Sequence, residues 1–449
     1  MSLREAVHLY GSDAVAADQR EAFRSGRVPV AVYGLGKMGL PLAAVYADVS
    51  GNVVGADVDP GVVETVNAGD CHVKREPGLP ELVAETVADG ALEATEDPAA
   101  AADRAAVHVV LVPTPITDDH EADLSILRSV AEDVGTGLDP GDQVIIECTV
   151  PPRTCSDLLE PMLAEAAGHD EFGLAFCPER TASGRALKDI RGAYPKVVGG
   201  VDDESTRVAE LIYGEITDND VLAVSDATTA EAVKVFEGLY RDVNIALANE
   251  LATLTDELGV DVNEAIETAN TQPFCELHAP GPGVGGHCIP YYPYFVINGF
   301  DTDSPLLETA REVNDAMPEF AVETLTRELD AAGTDPADAT VAVLGLTYRP
   351  GVEETRATPA GPIAERLTEL DAEVLAVDPM LDGADGFAAE MVPQEELYDR
   401  NLDGAVLVTP HEEFDGIEWE RFDPLAVVDG RQSLDLDHTD HRVYTIGSG

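Results

Sequence analysis

The sequence predicts an α/β protein: two doubly wound parallel-sheet domains joined by a central helical domain with one long helix. Three observations predict it. From Val28 the chain reads strand, glycine-rich turn, helix, strand; from Thr340 it repeats that outline; between them residues 229–258 carry one sustained helical period.

Val28–Tyr33 reads as a buried strand, Leu40–Val49 as a helix and Asn52–Asp57 as a second strand. Ala106–Val112, Gln143–Glu147 and Leu174–Cys177 are further short apolar runs of strand length. In the long helix Ala232, Phe236, Leu239, Val243, Ala246 and Leu254 mark successive turns. Thr228 with Glu231 has the spacing of a capping box, and Gly259 stands where a helix stops. Gly, Pro and His then crowd residues 278–293, an irregular loop. Beyond it Thr340–Gly345 reads as a strand, Pro359–Leu370 as a helix and Glu373–Asp378 as a strand. Both units end their second strand near an Asp-Pro pair, but the later one lacks the GxGxxG turn. The expected division is an N-terminal arm over residues 1–27, a domain over 28–220, a helical centre over 221–330 and a second doubly wound domain over 331–449.

The chain holds 27 basic against 86 acidic residues, a net charge of −59, with only five lysines beside 22 arginines. A field of that sign excludes nucleic acid and anionic membranes as partners. The acid is spread along the chain, which favours adaptation to concentrated salt over an acidic enzyme of ordinary salinity. No apolar run approaches membrane-spanning length, and the start Met1-Ser2-Leu3-Arg4-Glu5 lacks the character of a signal peptide, so a soluble, cytoplasmic protein is expected. Six cysteines lie scattered without a CxxC pair; they are expected to be reduced, and no metal is expected.

Gly34-x-Gly36-x-x-Gly39 follows a strand and opens a helix, with Asp57 about 20 residues on. The first glycine makes the tight turn, the second lets backbone approach a pyrophosphate and the third lets helix and strand pack. Asp57 suits a ribose 2′-hydroxyl and repels a 2′-phosphate, which favours NAD over NADP. Lys37 approaches a phosphate or lies in solvent; Met38 shares the turn. A Rossmann-like NAD site is expected here, against a glycine-rich turn without ligand.

Pro282-Gly283-Val284-Gly285-Gly286-His287-Cys288-Ile289-Pro290 is the most informative stretch. Glycines beside a cysteine let backbone and ligand come close. A thiolate there can add to an aldehyde and hold it as a thioester; on the residues alone a structural cysteine fits as well.

Taken in order, the motifs Gly34–Gly39, Val112-Pro113-Thr114-Pro115, Glu147-Cys148-Thr149-Val150-Pro151, Cys177-Pro178-Glu179-Arg180, Lys234, Gly285–Pro290 and Gly345-Leu346-Thr347-Tyr348-Arg349-Pro350 with Arg356 resemble the nucleotide-sugar 6-dehydrogenases, the UDP-glucose/GDP-mannose dehydrogenase family. The resemblance runs from about residue 28 through nearly the whole chain. It implies an NAD domain, a helical homodimerising centre and a UDP-sugar domain. It implies oxidation of a sugar C6 alcohol to a carboxylate with two NAD in succession. Cys288 would be the nucleophile, Glu179 would assist hydrolysis, Lys234 would stabilise oxyanions, and Thr149 would lie near the reactive water and nicotinamide. Thr114 and Arg356 would contact NAD; Arg180, Gly283, Gly285 and Arg349 would contact the UDP-sugar, together with Glu179 and Lys234.

Two positions depart from the family pattern: Gly238 stands where relatives usually carry Asn, and Tyr292 where they usually carry Asp. Tyr292 is expected to fill the space left at Gly238, its hydroxyl replacing the carboxylate; the competing expectation is a catalytically impaired nucleotide-sugar-binding homologue. His287, the Gly184–Leu187 stretch and Arg241–Ala246 resemble the N-acetylhexosamine branch, nearest the UDP-N-acetylmannosamine members, with UDP-N-acetylglucosamine and UDP-glucose as alternatives.

Overall fold

A computed structural model describes residues 7–449; Met1–Ala6, and with them the reading of Met1–Glu5, lie outside the described residues. The chain forms two compact units. One runs to Glu237 and takes in Tyr294–Gly299; the other comprises Gly238–Pro293 and Phe300–Gly449.

The first unit is built on a sheet of β1 (Val30–Tyr33), β2 (Val53–Ala56), β3 (Leu92–Thr95), β4 (Val107–Val110), β5 (Gln143–Ile146), β6 (Gly173–Phe176), β7 (Lys196–Gly200) and β8 (Val221–Ala223). Their spatial order is β3-β2-β1-β4-β5-β6-β7-β8. All neighbours run parallel except β6 and β7. The central strands are buried along their whole length because helices cover both faces, which is why they read as unbroken apolar runs. Strand order reverses between β1 and β4, where doubly wound sheets open a ligand crevice at the strands' carboxyl ends.

The second unit carries β9 (Thr340–Leu344), β10 (Glu373–Val377), β11 (Glu390–Met391), β12 (Gly404–Leu407), β13 (Ala426–Asp429) and β14 (Arg442–Thr445). Their order, β11-β10-β9-β12-β13-β14, repeats that of the first six strands of the other sheet, and every pair is parallel. The switch point lies between β9 and β12.

The long helix spans Ala227–Thr253, a shorter one Thr255–Leu258 follows, and Gly259 closes it with φ +63°. The expected capping box is not formed. Asp226 Oδ1 accepts from the Thr229 amide at 2.7 Å, while Glu231 turns inward to accept from the amides of Arg153 (2.5 Å) and Cys155 (2.7 Å). The 28-residue helix Pro305–Ala332 has no counterpart in the sequence reading, since Pro318 lies inside it and signals a break. Met317, Ala321, Leu325 and Leu329 are buried in the core of the second sheet, and that packing carries the helix past the proline.

The arm is docked rather than loose. Leu9 and Phe23 are fully buried in the core of the first unit, and the helix Ala16–Arg24 lies against Asp203–Ile216. No helix of the described residues is long and apolar enough to cross a membrane.

Candidate active site

Each unit carries some of the residues that the sequence singles out. In the first, the turn after β1 has the geometry a dinucleotide needs. Gly34 has φ +89°, and a Cβ on it would stand 2.3 Å from the Leu111 carbonyl oxygen. One on Gly39 would stand 1.9 Å from the carbonyl oxygen of Gly34, so helix and strand touch there. A Cβ on Gly36 would meet nothing within 4 Å, and Gly36 and Lys37 are exposed at the switch point, leaving free space for a pyrophosphate. Asp57 accepts from the amides of Leu35 (2.7 Å) and Asp59 (3.0 Å), one per oxygen. It remains partly exposed, and a carboxylate has further acceptor capacity for ribose hydroxyls. These residues fit NAD.

The second unit repeats the backbone turn but not the site. Gly345 has φ +88°, and a Cβ there would stand 2.4 Å from the Thr409 carbonyl oxygen. Asp378, the counterpart of Asp57, is only 5% exposed. One of its oxygens accepts from the amides of Leu346 (2.7 Å) and Thr347 (2.8 Å) and the Thr347 hydroxyl (3.0 Å), with His411 Nε2 at 3.2 Å. Protein donors thus occupy the carboxylate that would otherwise read a ribose. Burial alone would raise Asp378, but hydrogen bonds from His411 and the Thr347 and Met380 amides outweigh it and hold the carboxyl below its ordinary range.

Beyond β4 and β5 the Thr114 hydroxyl donates to the Thr149 carbonyl at 2.5 Å, joining two of the expected residues. Glu179 follows β6. One carboxylate oxygen accepts from the amide and hydroxyl of Thr181, and the other lies 3.7 Å from Lys234 Nζ. Lys234 is 8% exposed and donates to the Glu179 carbonyl, so it is a buried ammonium rather than a solvated charge on a helix face. The Thr181 hydroxyl also lies 3.0 Å from Met38 Sδ, which brings the glycine turn and the Glu179 loop together. Arg180 is engaged internally: it donates to Glu237 at 2.8 Å and to the Pro195 carbonyl, and stacks over Tyr194.

In the second unit a buried polar network holds the start of the cysteine loop. Asn249 accepts from the Gly281 amide (2.9 Å) and donates to Asn314 (2.9 Å); Asn314 and Arg311 both donate to Asp242, at 2.8 and 2.5 Å. The loop's glycines pack tightly. A Cβ on Gly283 (φ +135°) would stand 3.0 Å from Pro359, and one on Gly285 2.7 Å from Tyr348 Cβ. The Gly286 amide donates to the Arg356 carbonyl at 2.9 Å, while the Arg356 guanidinium lies 3.8 Å from Glu354. Arg349 is exposed beyond β9.

Cys288 is a partly exposed cysteine outside any disulfide. Its side chain's hydrogen bond raises the neighbouring His287 imidazole above its ordinary value, against burial, which lowers it. By contrast Cys148, Cys155 and Cys177 are core residues whose thiols burial pushes up, Cys148 to about 12. Tyr292 is 7% exposed, and its ring fills the space beside Gly238: a Cβ there would stand 2.3 Å from Tyr292 Cδ2.

Arg431, which the sequence reading passed over, follows β13. Its guanidinium donates to the carbonyls of Val408 (2.9 Å) and Gly283 (3.3 Å), and among the described residues no carboxylate lies within ion-pair distance. Burial lowers it to about 10, opposed by Asp429. In so acidic a chain, an arginine facing carbonyls beside the cysteine loop is a cation available to an anion. The sequence signal was Asp429-Gly430-Arg431 directly after an apolar strand.

Models of the UDP-glucose/GDP-mannose dehydrogenase family match along the whole order of the chain: the NAD binding domain at residues 28–217, the central domain at 228–316 and the UDP binding domain at 342–436. A UDP-N-acetyl-D-mannosamine dehydrogenase of Pyrococcus horikoshii is 37% identical over 413 residues, covering 90% of this chain and 96% of that protein. An NDP-N-acetyl-D-galactosaminuronic acid dehydrogenase of Ralstonia nicotianae is 32% identical, covering 90% and 95%. The solved structure of the P. horikoshii UDP-D-ManNAc dehydrogenase superposes with a TM-score of 0.85 at 34% identity, over 94% of this chain and 99% of that one. A UDP-glucose dehydrogenase of Pyrobaculum islandicum does so with a TM-score of 0.85 at 28% identity, over 94% and 98%. The chain therefore belongs to the UDP-glucose/GDP-mannose dehydrogenase family and is an NAD-dependent nucleotide-sugar dehydrogenase.

Proposed function

We propose that the protein oxidises the C6 alcohol of a UDP-N-acetylhexosamine, UDP-N-acetylmannosamine by preference, to the uronate, with Cys288 as nucleophile. Residues 28–220 hold NAD through Gly34, Gly36, Lys37, Met38, Gly39, Asp57, Thr114 and Thr149, with Arg356 as a further contact. When bound, NAD is the hydride acceptor for both oxidations. The Cys288 thiolate adds to the C6 aldehyde carbon, and its sulfur holds that carbon as a thiohemiacetal and, after the second oxidation, as a thioester. Water then attacks the thioester carbon as Glu179 takes its proton; the C–S bond breaks, releasing the carboxylate and the thiolate. Lys234 stabilises the oxyanion formed at C6. Arg349 and Arg431 face the anionic nucleotide of the substrate in residues 331–449, and the backbone at Gly283 and Gly285 lies against the sugar.

The observation that carries this reading is the contrast between Cys288, partly exposed and hydrogen-bonded to His287 in a glycine-packed loop, and the buried thiols of Cys148, Cys155 and Cys177. The sugar preference draws support from the UDP-N-acetyl-D-mannosamine dehydrogenase of Pyrococcus horikoshii. NADH release measured in concentrated KCl with UDP-N-acetylmannosamine, UDP-N-acetylglucosamine, UDP-glucose and GDP-mannose tests it. Two NADH per UDP-N-acetylmannosamine, lost in Cys288→Ser, is expected; one NADH per sugar, or faster turnover of another sugar, overturns the corresponding part. UDP-sugar binding without NAD reduction would instead mark an impaired homologue.

The helix Ala227–Thr253 exposes Tyr240 and Leu247 (51 and 46%), and Leu254 and Leu258 follow just beyond it at 38 and 57%. This apolar stripe supports a homodimer formed through the helical region 221–330. Light scattering at high salt is expected to give twice the chain mass, and half that for Leu247→Glu with Leu254→Glu.

A further inference from the structure

Glu179 is held through its backbone as well as its side chain, and the backbone contacts lead to a residue with no role so far. Glu147 follows β5 and is 1% exposed. Its carboxylate accepts from Lys196 Nζ at 2.8 Å and from the Tyr213 hydroxyl. Lys196, the first residue of β7, donates again to the Pro178 carbonyl at 3.3 Å, and its ammonium sits 4.4 Å from the centre of the Tyr213 ring. The next carbonyl, that of Glu179, accepts from Lys234, and the Glu179 amide donates to the Glu147 carbonyl at 3.3 Å. The backbone flanking the Glu179 side chain is therefore fixed at three points, two of them by lysine ammoniums on successive carbonyls. Lys196, Glu147 and Glu179 also line one crevice together with Met38 and Tyr194.

The composition gives this geometry weight. The chain carries 22 arginines and five lysines, and two of those five are the ones that hold Pro178 and Glu179. An ammonium is a compact charge whose donors diverge, so it can serve a carboxylate and a carbonyl in different directions; a guanidinium offers its donors in one plane.

We propose that Lys196, anchored by Glu147 and Tyr213, is a positioning residue for Glu179: by holding the Pro178 carbonyl it fixes the direction of the Glu179 carboxylate during thioester hydrolysis. The inference rests on the reading of Glu179 as the group that assists that hydrolysis.

Lys196→Met alone leaves a buried carboxylate without its cation and puts the fold at risk. The test therefore uses Lys196→Arg and the charge-balanced pair Lys196→Met with Glu147→Gln, beside Glu179→Gln, all with UDP-N-acetylmannosamine. Three readouts are taken: NADH in the first turnover, steady-state turnover, and the mass of acid-quenched enzyme carrying sugar on Cys288. In both Lys196 variants the first turnover is expected to keep its rate while steady-state turnover falls roughly ten- to a hundredfold. Covalent adduct should accumulate, and KM should fall together with kcat so that kcat/KM holds, as in Glu179→Gln. Adduct in Glu179→Gln but normal turnover in both Lys196 variants overturns the inference and leaves the Glu179 reading intact. Normal turnover in Glu179→Gln removes that reading, and the inference with it. Loss of the first turnover together with a lowered Tm and no adduct reduces Lys196 to a structural role.

Discussion

At the scale of single residues, the pair Gly238 and Tyr292 is where this chain departs furthest from its relatives' pattern, and geometry explains the departure. Glycine inside a helix costs about 1 kcal/mol relative to alanine, yet the Tyr292 ring leaves alanine no room. Gly238→Ala is therefore expected to destabilise the protein by about 1–3 kcal/mol through overpacking, despite its better helix propensity. Combining it with Tyr292→Ala should give less than the sum of the two losses; additive urea-unfolding midpoints would show that the contact is loose. Tyr292→Phe isolates the hydroxyl: turnover should fall while Tm holds, and undiminished turnover would remove Tyr292 from the catalytic set. Cysteine reactivity gives a second residue-scale expectation. Iodoacetamide should modify Cys288 ahead of Cys148, Cys155 and Cys177, whose thiols burial disfavours as thiolates, and UDP-sugar should protect it. Peptide mapping that finds a core cysteine alkylated first would contradict the assignment. The sequence made Cys288 and the glycine turn legible because local chemistry marks them. It did not mark Lys196 or Arg431, whose importance lies in partners many residues away: Glu147 for one, Gly283 for the other.

At the scale of elements, period and turn chemistry carried the strand–turn–helix units, since buried parallel strands read as short apolar runs wherever they fall. The errors have physical causes. Thr228 and Glu231 have capping-box spacing, but Asp226 is the residue placed to cap, and burial of Glu231 satisfies two other amides instead. The helix Pro305–Ala332 was hidden by Pro318, and the short β11 and β14 depend on pairing with neighbours rather than on their own residues. The N-terminal arm carries the least sequence signal, and besides its apolar packing its docking includes one titrating contact. His8 Nδ1 lies 2.8 Å from Asp142 Oδ1, and that hydrogen bond, with the charges of Asp142 and Asp139, raises His8 above its ordinary value against its burial. Burial would raise Asp142, but the His108 imidazole 3.6 Å away and the hydrogen bonds with His8 and from the Asp139 amide outweigh it and lower the carboxyl. The signs then follow. The raised histidine stabilises docking fully below its unfolded pKa, near 6.5, and loses that contribution as pH climbs through its folded value. The lowered carboxylate contributes above about 3.9 and is lost as pH falls through its own folded value. Arm docking should therefore be tightest between roughly pH 4 and 6.5. Hydrogen exchange at the Val7 and Tyr10 amides, which donate to Arg27 and Gly141, should quicken beyond the intrinsic pH effect above pH 7. In His8→Gln that excess should vanish; an identical pH response in both proteins would show that the contact does not govern docking.

At the scale of the whole molecule, 59 uncompensated negative charges pose the dominant question, since the fold must hold together against them. Two effects of salt compete. Salt screens the ion pairs that many of the arginines make with carboxylates, such as Arg191 with Asp48 and Arg442 with Glu328. Exposed pairs of this kind are worth only about 0–1 kcal/mol each. Salt also screens repulsion among the acidic residues left without a basic counterpart, and the Debye length shrinks from about 8 Å at 0.15 M to about 3 Å at 1 M. With 86 acidic residues against 27 basic ones, repulsive pairs outnumber attractive ones, so screening should favour the compact state. Tm is therefore expected to climb by about 10 °C or more between 0.1 and 2 M KCl, a shift of a few kcal/mol for units of this size. Most of the early rise should occur below roughly 0.5 M, where screening changes fastest, and should be the same in KCl and KSCN. A rise seen only above 1 M, and only with strongly excluded salts such as sulfate, would instead point to strengthened apolar burial. A flat or falling Tm across the whole range in KCl would show that the arginine ion pairs outweigh the repulsion, and that the acidic surface is not an adaptation to salt.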